Sequence, residues 1–447
     1  MRRATLTAAL LALLLAGCGT PGGESSDNAQ DAGQAAQDSR KVDVAKAGPV
    51  TLTVWDQEVR GGQRRQIERL NAAFEERYPN VTIKRVAKSF TDLNTTLKLA
   101  VSGDKAPDVV QANQGRPVMG QLVKGGLLRP LDGYAEAYGW ADRYAPLLLD
   151  LNRFSPDGAE FGAGRLFGLS QMGEIVGVYY DRDQVAEPPA TFADFERELQ
   201  AAEQRGDVPI SFGNLDGWPG IHEFQTVQNA FTPPEQVRDF VFARAGGAFD
   251  TPENQEAAER IQDWAEQGYF TEDFNGVGYD PAYGRFAKGA GPFLIAGTWL
   301  LADLTDSMGD RLGFMLMPPA EEGGPPVALG GESLPFAITS KSENPDVAAA
   351  YIDFLTNADA ARVLVETGNL PAMNGAPEPQ GAAATDVFAA WRELSEQDGL
   401  VPYLDYATPT FYDDITAAVQ RLLAGRVEPA AFTEGLQGDY EKFTGSR

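Results

Sequence analysis

One cysteine, Cys18, and one histidine, His222, occur in 447 residues, and basic side chains are scarce beside acidic ones. Each shortage closes off a class of chemistry. A lone cysteine has no disulfide partner and cannot build a thiolate metal site. A lone histidine rules out a two-histidine metal site and an HExxH helix. It would also have to serve any Ser-His-Asp triad, and the chain has no G-x-S-x-G turn to present the serine. Phosphate loops ending in Gly-Lys-Ser/Thr are missing, and Gly162, Gly164 and Gly168 miss the dinucleotide spacing by one residue. Lys and Arg number 37 against 64 Asp and Glu, a net charge of −27. Nucleic-acid affinity comes mainly from cationic side chains neutralising phosphates, so this balance argues against such a partner. Acidic surface fits solubility better. Counting leaves open one catalytic class, a secreted glycoside hydrolase, because a pair of carboxylates needs no motif.

Long apolar runs are missing too, except near the start. Arg2 and Arg3 precede an apolar run from Leu6 to Ala16 that ends in Leu15-Ala16-Gly17-Cys18. A charged n-region followed by so short an h-region reads as a signal peptide over residues 1–17, too brief to be a permanent spanning helix. Small residues before a cysteine resemble the bacterial lipobox, which makes Cys18 the expected lipidation site and a membrane anchor. Residues 18–49 are rich in Gly, Ser, Asp, Gln and Ala, and read as a flexible tether, since such a stretch buries too little apolar surface to fold. From Val50 to Arg447 the chain is long enough for one large or two medium domains with real cores.

Along that stretch, Val50 to Trp55 reads as a β-branched strand. Ile67, Leu70, Phe74 and Tyr78 repeat at helical spacing until Pro79-Asn80. A strand over Val81 to Val86, a helix over Thr91 to Val101 and a strand over Pro107 to Val110 complete a β-α-β-α-β opening, which implies a parallel sheet covered by helices. Further strands are expected at Ile175 to Tyr180, Phe293 to Ala296, Leu312 to Met317 and Leu334 to Thr339. A helix over Phe192 to Glu203 opens with Thr191 and Asp194 at capping-box spacing. The last third reads as helical, most clearly over Val347 to Val365 and Ile415 to Leu423. No solenoid repeat is present.

Aromatic, amide and carboxylate residues fall just beyond these strands, where ligands bind in open α/β sheets. Trp55 and Asp56 leave the first strand, Asn113 the third, and Trp299 follows the apolar run 293–296. Carboxylates and amides hydrogen-bond sugar hydroxyls, and an indole face covers the C–H patch of a pyranose, so the pairing suits carbohydrate recognition.

Ordered landmarks run through the mature chain. They include Val54-Trp55, Tyr78-Pro79-Asn80-Val81, Leu99 to Asp104 leading into Ala106 to Val110, Phe167 to Ser170, Val178 to Asp181, Phe286 to Gly289, Ala296 to Trp299, Gly330-Gly331 and Leu370-Pro371-Ala372. Together they resemble the maltose-type, family 1 solute-binding lipoproteins of ABC sugar importers. The resemblance implies a type II periplasmic-binding-protein-like α/β fold, two lobes joined by a hinge around a ligand cleft. Lobe one is then 50–171 and 329–367, and lobe two 172–328 and 368–447. It implies a monomer that binds a di- or oligosaccharide, engages the permease subunits of the importer, and needs no cofactor or metal. The expected ligand contacts are Asp56, Glu58, Asn113, Arg116, Glu174, Trp218, His222, Trp299, Glu332 and Tyr412, with Trp218 and His222 placed in a loop. Ala112 stands where an aromatic often helps stacking, which argues against maltodextrin itself. A polyol or a glycerol-phosphate ester is the alternative solute, the latter requiring cations from Arg60 and Arg116.

Overall fold

The computed structural model describes residues 40–445, and two larger sheets organise them beside a two-stranded antiparallel pair, Arg153–Phe154 with Arg165–Leu166. In strand β1 (Val50–Asp56) the residues Val50, Leu52 and Val54 face a core while Thr51 and Thr53 face outward, the period-2 pattern of a half-buried strand. Helix α1 (Gly61–Arg77) lays Ile67, Leu70 and Phe74 on that core, and β2 (Val81–Ala87) returns parallel to β1. Helix α2 (Phe90–Ser102) starts where the Ser89 hydroxyl accepts from the Asp92 amide, and it buries Leu93, Leu97 and Val101. Strand β3 (Val109–Gln111) then pairs parallel on the other side of β1.

The second sheet is built around β4 (Gly173–Asp181), which is buried along its whole length. Helix α3 (Phe192–Gln204) follows with the reciprocal Thr191–Asp194 cap in place. Next come α4 (Trp218–Gln228), α5 (Tyr279–Phe286), β5 (Phe293–Gly297), α6 (Leu301–Met308), β6 (Leu312–Met315) and β7 (Ala328–Glu332). All three strands pair antiparallel with β4, so the parallel alternation of the opening does not continue into this half. The chain then crosses back, and β8 (Phe336–Ile338) adds an antiparallel edge to β3. Helices α7 (Pro345–Leu355) and α8 (Ala358–Glu366) cover the first sheet. Helix α9 (Ala382–Glu396), β9 (Leu400–Val401), α10 (Phe411–Leu423) and α11 (Pro429–Thr444) end the described chain on the second sheet's side, where β9 joins β7 in parallel.

The passages between the sheets lie near residues 169–173, 333–335 and 368–372, and they touch one another. Leu169 bridges Phe336, Met172 bridges Pro371, and the Gly173 amide donates to the Leu370 carbonyl at 2.8 Å.

Several expectations need correcting. Strand β7 belongs to the second sheet, so the expected boundary between 328 and 329 is too early and the passage is at 333–335. The helix expected over Val347 to Val365 is two helices, because the Asn357 side chain accepts from the Asp359 and Ala360 amides and caps a new start. The end of the expected tether is packed. Val44 is only 3% exposed in the first sheet's core, and the Asn80 amide donates to the Val44 and Gly48 carbonyls at 2.8 Å. Residues 1–17, Cys18 and the tether up to 39 lie outside the described residues.

Candidate ligand-binding cleft

Between the sheets lies a cleft of about 610 Å³. Residues just beyond β1 and β3 supply one wall, with Gln57, Arg60, Gln63 and Asn113, joined by Phe90 at the start of α2. The opposite wall comes from Trp218, Ile221 and His222 of α4, Trp299 after β5, and Tyr403, Asp405, Tyr406 and Tyr412 around β9 and α10. Glu174 of β4 and Leu334 at the second passage close the floor. A smaller recess of about 200 Å³ continues from Gln63, Glu174 and Trp299 toward the three passages.

Trp218 and His222 are not in a loop. They sit four residues apart in α4, which puts both on one helical face. Their rings are 5.2 Å apart, and Trp299 lies 5.6 Å from His222 and 6.1 Å from Trp218. The Trp299 indole nitrogen donates to the Tyr279 hydroxyl at 2.8 Å, which fixes the ring plane. His222 also lies 5.1 Å from Tyr403, whose hydroxyl donates to the Glu174 carboxylate at 2.7 Å. Burial holds His222 far down, at about 3, so it stays neutral, and raises Glu174 to about 7. Asp405 is likewise pushed up to about 7 by burial.

Six of the expected contacts line this cleft: Asn113, Glu174, Trp218, His222, Trp299 and Tyr412. Four do not. Asp56 accepts two bonds from Arg85, at 2.6 and 2.7 Å, and so anchors β1 to β2. Glu58 is buried behind the cleft wall, where Gln111 donates to it at 2.6 Å and the Gln111 carbonyl oxygen accepts from the Gln57 amide. Arg116 opens the turn Arg116–Gly120 and donates to the carbonyls of Val241 and Ala407 at 2.7 and 2.6 Å and of Phe242 at 3.1 Å. That guanidinium ties the first sheet's side to the second. Glu332, on β7, accepts from Asn152 and, at 3.3 Å, from Gln114. Burial raises both Glu58 and Glu332 to about 8. All four are buried polar groups with a structural partner, which is what sequence position alone could not separate from ligand contact.

Sequence reasoning missed Tyr403, Asp405 and Tyr406. They leave β9 as the other cleft residues leave their strands, but a two-residue strand carries no periodic signal. Arg60 is the single Lys or Arg among the described cleft-lining residues. It pairs with Asp280 across the cleft at 3.0 Å and lies over the Tyr279 ring. Among the described residues, no group of three or more His, Cys, Asp or Glu is placed to hold a metal ion. No described helix is long and apolar enough to cross a membrane.

Two sheets meeting at three passages around a cleft define the periplasmic-binding-protein-like fold. The chain belongs to the bacterial extracellular solute-binding protein family, whose profile matches residues 61–362. It is similar to the maltodextrin-binding protein MdxE of Bacillus subtilis, with 24% identity over 407 residues, 85% of this chain and 84% of that protein. It is also similar to a multiple sugar-binding protein of Streptococcus mutans, with 19% identity over 374 residues, 80% of this chain and 85% of that one. Among solved structures it superposes on a chitin oligosaccharide binding protein with a TM-score of 0.75 at 22% identity, over 89% of this chain and 99% of that one. The family is one of binding proteins, so the glycoside hydrolase alternative is set aside and the chain is not an enzyme.

Proposed function

We propose that this protein is the substrate-binding component of an ABC importer, which captures a di- or oligosaccharide outside the cytoplasm and delivers it to the membrane permease. The observation that carries this reading is the convergence of aromatic faces and hydrogen-bonding groups from both sheets on one cleft. Trp218, Trp299 and Tyr412 offer ring faces to pyranose C–H patches, while Asn113, Gln57 and Glu174 offer partners to hydroxyls. The sugar-binding relatives support the same class of ligand. The lobes are the two sheets with their helices, and a ligand touching both shifts the equilibrium toward closure. Arg60–Asp280 at 3.0 Å, Arg65–Asp306 at 3.2 Å and the Phe90–Trp218 ring contact span the lobes. The monomeric receptor is held at the membrane through lipid on Cys18, with the following residues as its tether.

A glycerol-phosphate ester fits this cleft less well, because Arg60 is already paired and Arg116 faces elsewhere. A thermal-shift screen against saccharides, polyols and glycerol-phosphate esters tests the proposal. A ligand at 100 times its Kd adds about 2.7 kcal/mol of stability, so at least one saccharide should raise the melting temperature clearly. A rise with polyols or phosphate esters alone replaces the sugar by that solute, and no rise with any compound refutes the receptor reading.

A further inference from the structure

Charge in the cleft does not balance. Asp405 is 6% exposed and lines the cleft from the turn after β9, yet no Lys or Arg pairs with it among the described residues. Its surroundings are the phenol rings of Tyr403, Tyr406 and Tyr412. Glu174, 9% exposed, has the Tyr403 hydroxyl and shares the field of Arg60, which is itself bonded to Asp280. His222 faces the same space without charge. Two buried carboxylates thus line a cleft whose single guanidinium acts on Glu174 and is bonded to Asp280. Burying a carboxylate without a counter-charge is costly. The hydroxyls of a neutral sugar supply donors but no charge. An ammonium group supplies both, and aromatic faces such as those of Trp218, Trp299 and Tyr412 attract cations electrostatically.

We infer that the captured solute carries a protonated nitrogen, that is, an amino-substituted saccharide whose ammonium group is received by the Asp405 carboxylate. This rests on the sugar-receptor reading above and narrows it. The test is calorimetric titration of the full mature protein with matched triplets of gluco- and galacto-configured disaccharides that differ only in a free amine, an N-acetylated amine or a hydroxyl at one carbon. Choline is a further probe. The free-amine member should bind at least tenfold tighter than its two neutral counterparts, and Asp405→Asn should bring that ratio close to one. A second readout needs no variant. Asp405 and Glu174 both titrate near 7, whereas an amine of α-amino type holds its proton to about 7.7–8.0. Affinity for the amine should therefore climb as pH rises from 5.5 toward 7, with no such climb for the neutral members. Neutral members binding as tightly as the amine, or a flat pH profile for the amine, overturn this inference while leaving the sugar receptor standing. Binding of choline alone, or heat with none of the compounds, overturns this inference, and the sugar reading falls with it only where the saccharide thermal-shift screen is silent too.

Discussion

At the scale of single residues, Trp299 illustrates how a side chain serves the cleft without holding the fold. It follows the buried strand β5, its indole nitrogen is anchored on the Tyr279 hydroxyl, and its ring is only partly buried. Trp299→Ala should therefore weaken saccharide binding at least tenfold, about 1.4 kcal/mol, with little change in the melting temperature of the unliganded protein. Trp299→Phe keeps an aromatic face but loses the bond to Tyr279, and should fall between. Titration calorimetry on both variants checks the order, and an unchanged affinity for the alanine variant would take the indole out of the binding surface. The same scale shows the limit of reading sites from sequence. Asp56 and Glu332 end strands, and Glu58 and Arg116 come after them, as Asn113 and Trp299 of the cleft do, but each is satisfied by Arg85, Gln111, backbone carbonyls or Asn152 with Gln114. Which side of a strand end faces the ligand depends on partners far away in sequence, and no local pattern encodes it.

Elements were far more legible than contacts, because each is set by neighbours within a few residues. The apolar repeat Ile67, Leu70, Phe74 and the β-branched run Val50 to Trp55 predicted α1 and β1, and both are present, with Ile67, Leu70 and Phe74 buried. Periodicity failed where a cap interrupts it. From Val347 onward the apolar residues continue through Val365, but Asn357 stops one helix and starts another by accepting two amide bonds, each 2.9 Å. A polar residue in an apolar run was the available signal, and its side-chain preference for caps is its physical meaning. Asn357→Ala should cost about 0.5–2 kcal/mol of stability, read as a lower urea midpoint at unchanged slope. If the midpoint does not move, the two helices are separated by packing and not by the cap. Strand β9 failed for the opposite reason, being two residues long and fixed only by its pairing with β7. With it went Tyr403, Asp405 and Tyr406.

For the whole molecule, the buried ionisable groups behind and beneath the cleft make stability a function of pH. Glu58 and Glu332 flank the region where the sheets meet, and burial raises both to about 8 from the 4.5 of a free glutamate. In the unfolded chain they ionise near 4.5, so between 4.5 and 8 the folded state binds more protons than the unfolded one. Stability from these groups is fully present below 4.5 and is lost as pH rises through 8, at no more than about 1.4 kcal/mol per pH unit for each group. His222 acts at the other end. Its folded value of about 3 lies below the 6.5 of free histidine, so the unfolded chain takes up that proton first and stability is lost as pH falls from 6.5 toward 3. The two slopes oppose each other, and the melting temperature of the unliganded protein should peak in mildly acidic solution and decline toward pH 8. Glu58→Gln and Glu332→Gln keep the shape and remove the titration, so each should flatten the alkaline decline while leaving the acid limb in place. His222→Gln should do the reverse. Melting curves across pH 4 to 9 for the parent and the three variants decide the matter. An alkaline decline that persists undiminished with both glutamines in place would refute Glu58 and Glu332 as its source and assign it to the other carboxylates that burial raises, Glu174, Asp405 and Glu223.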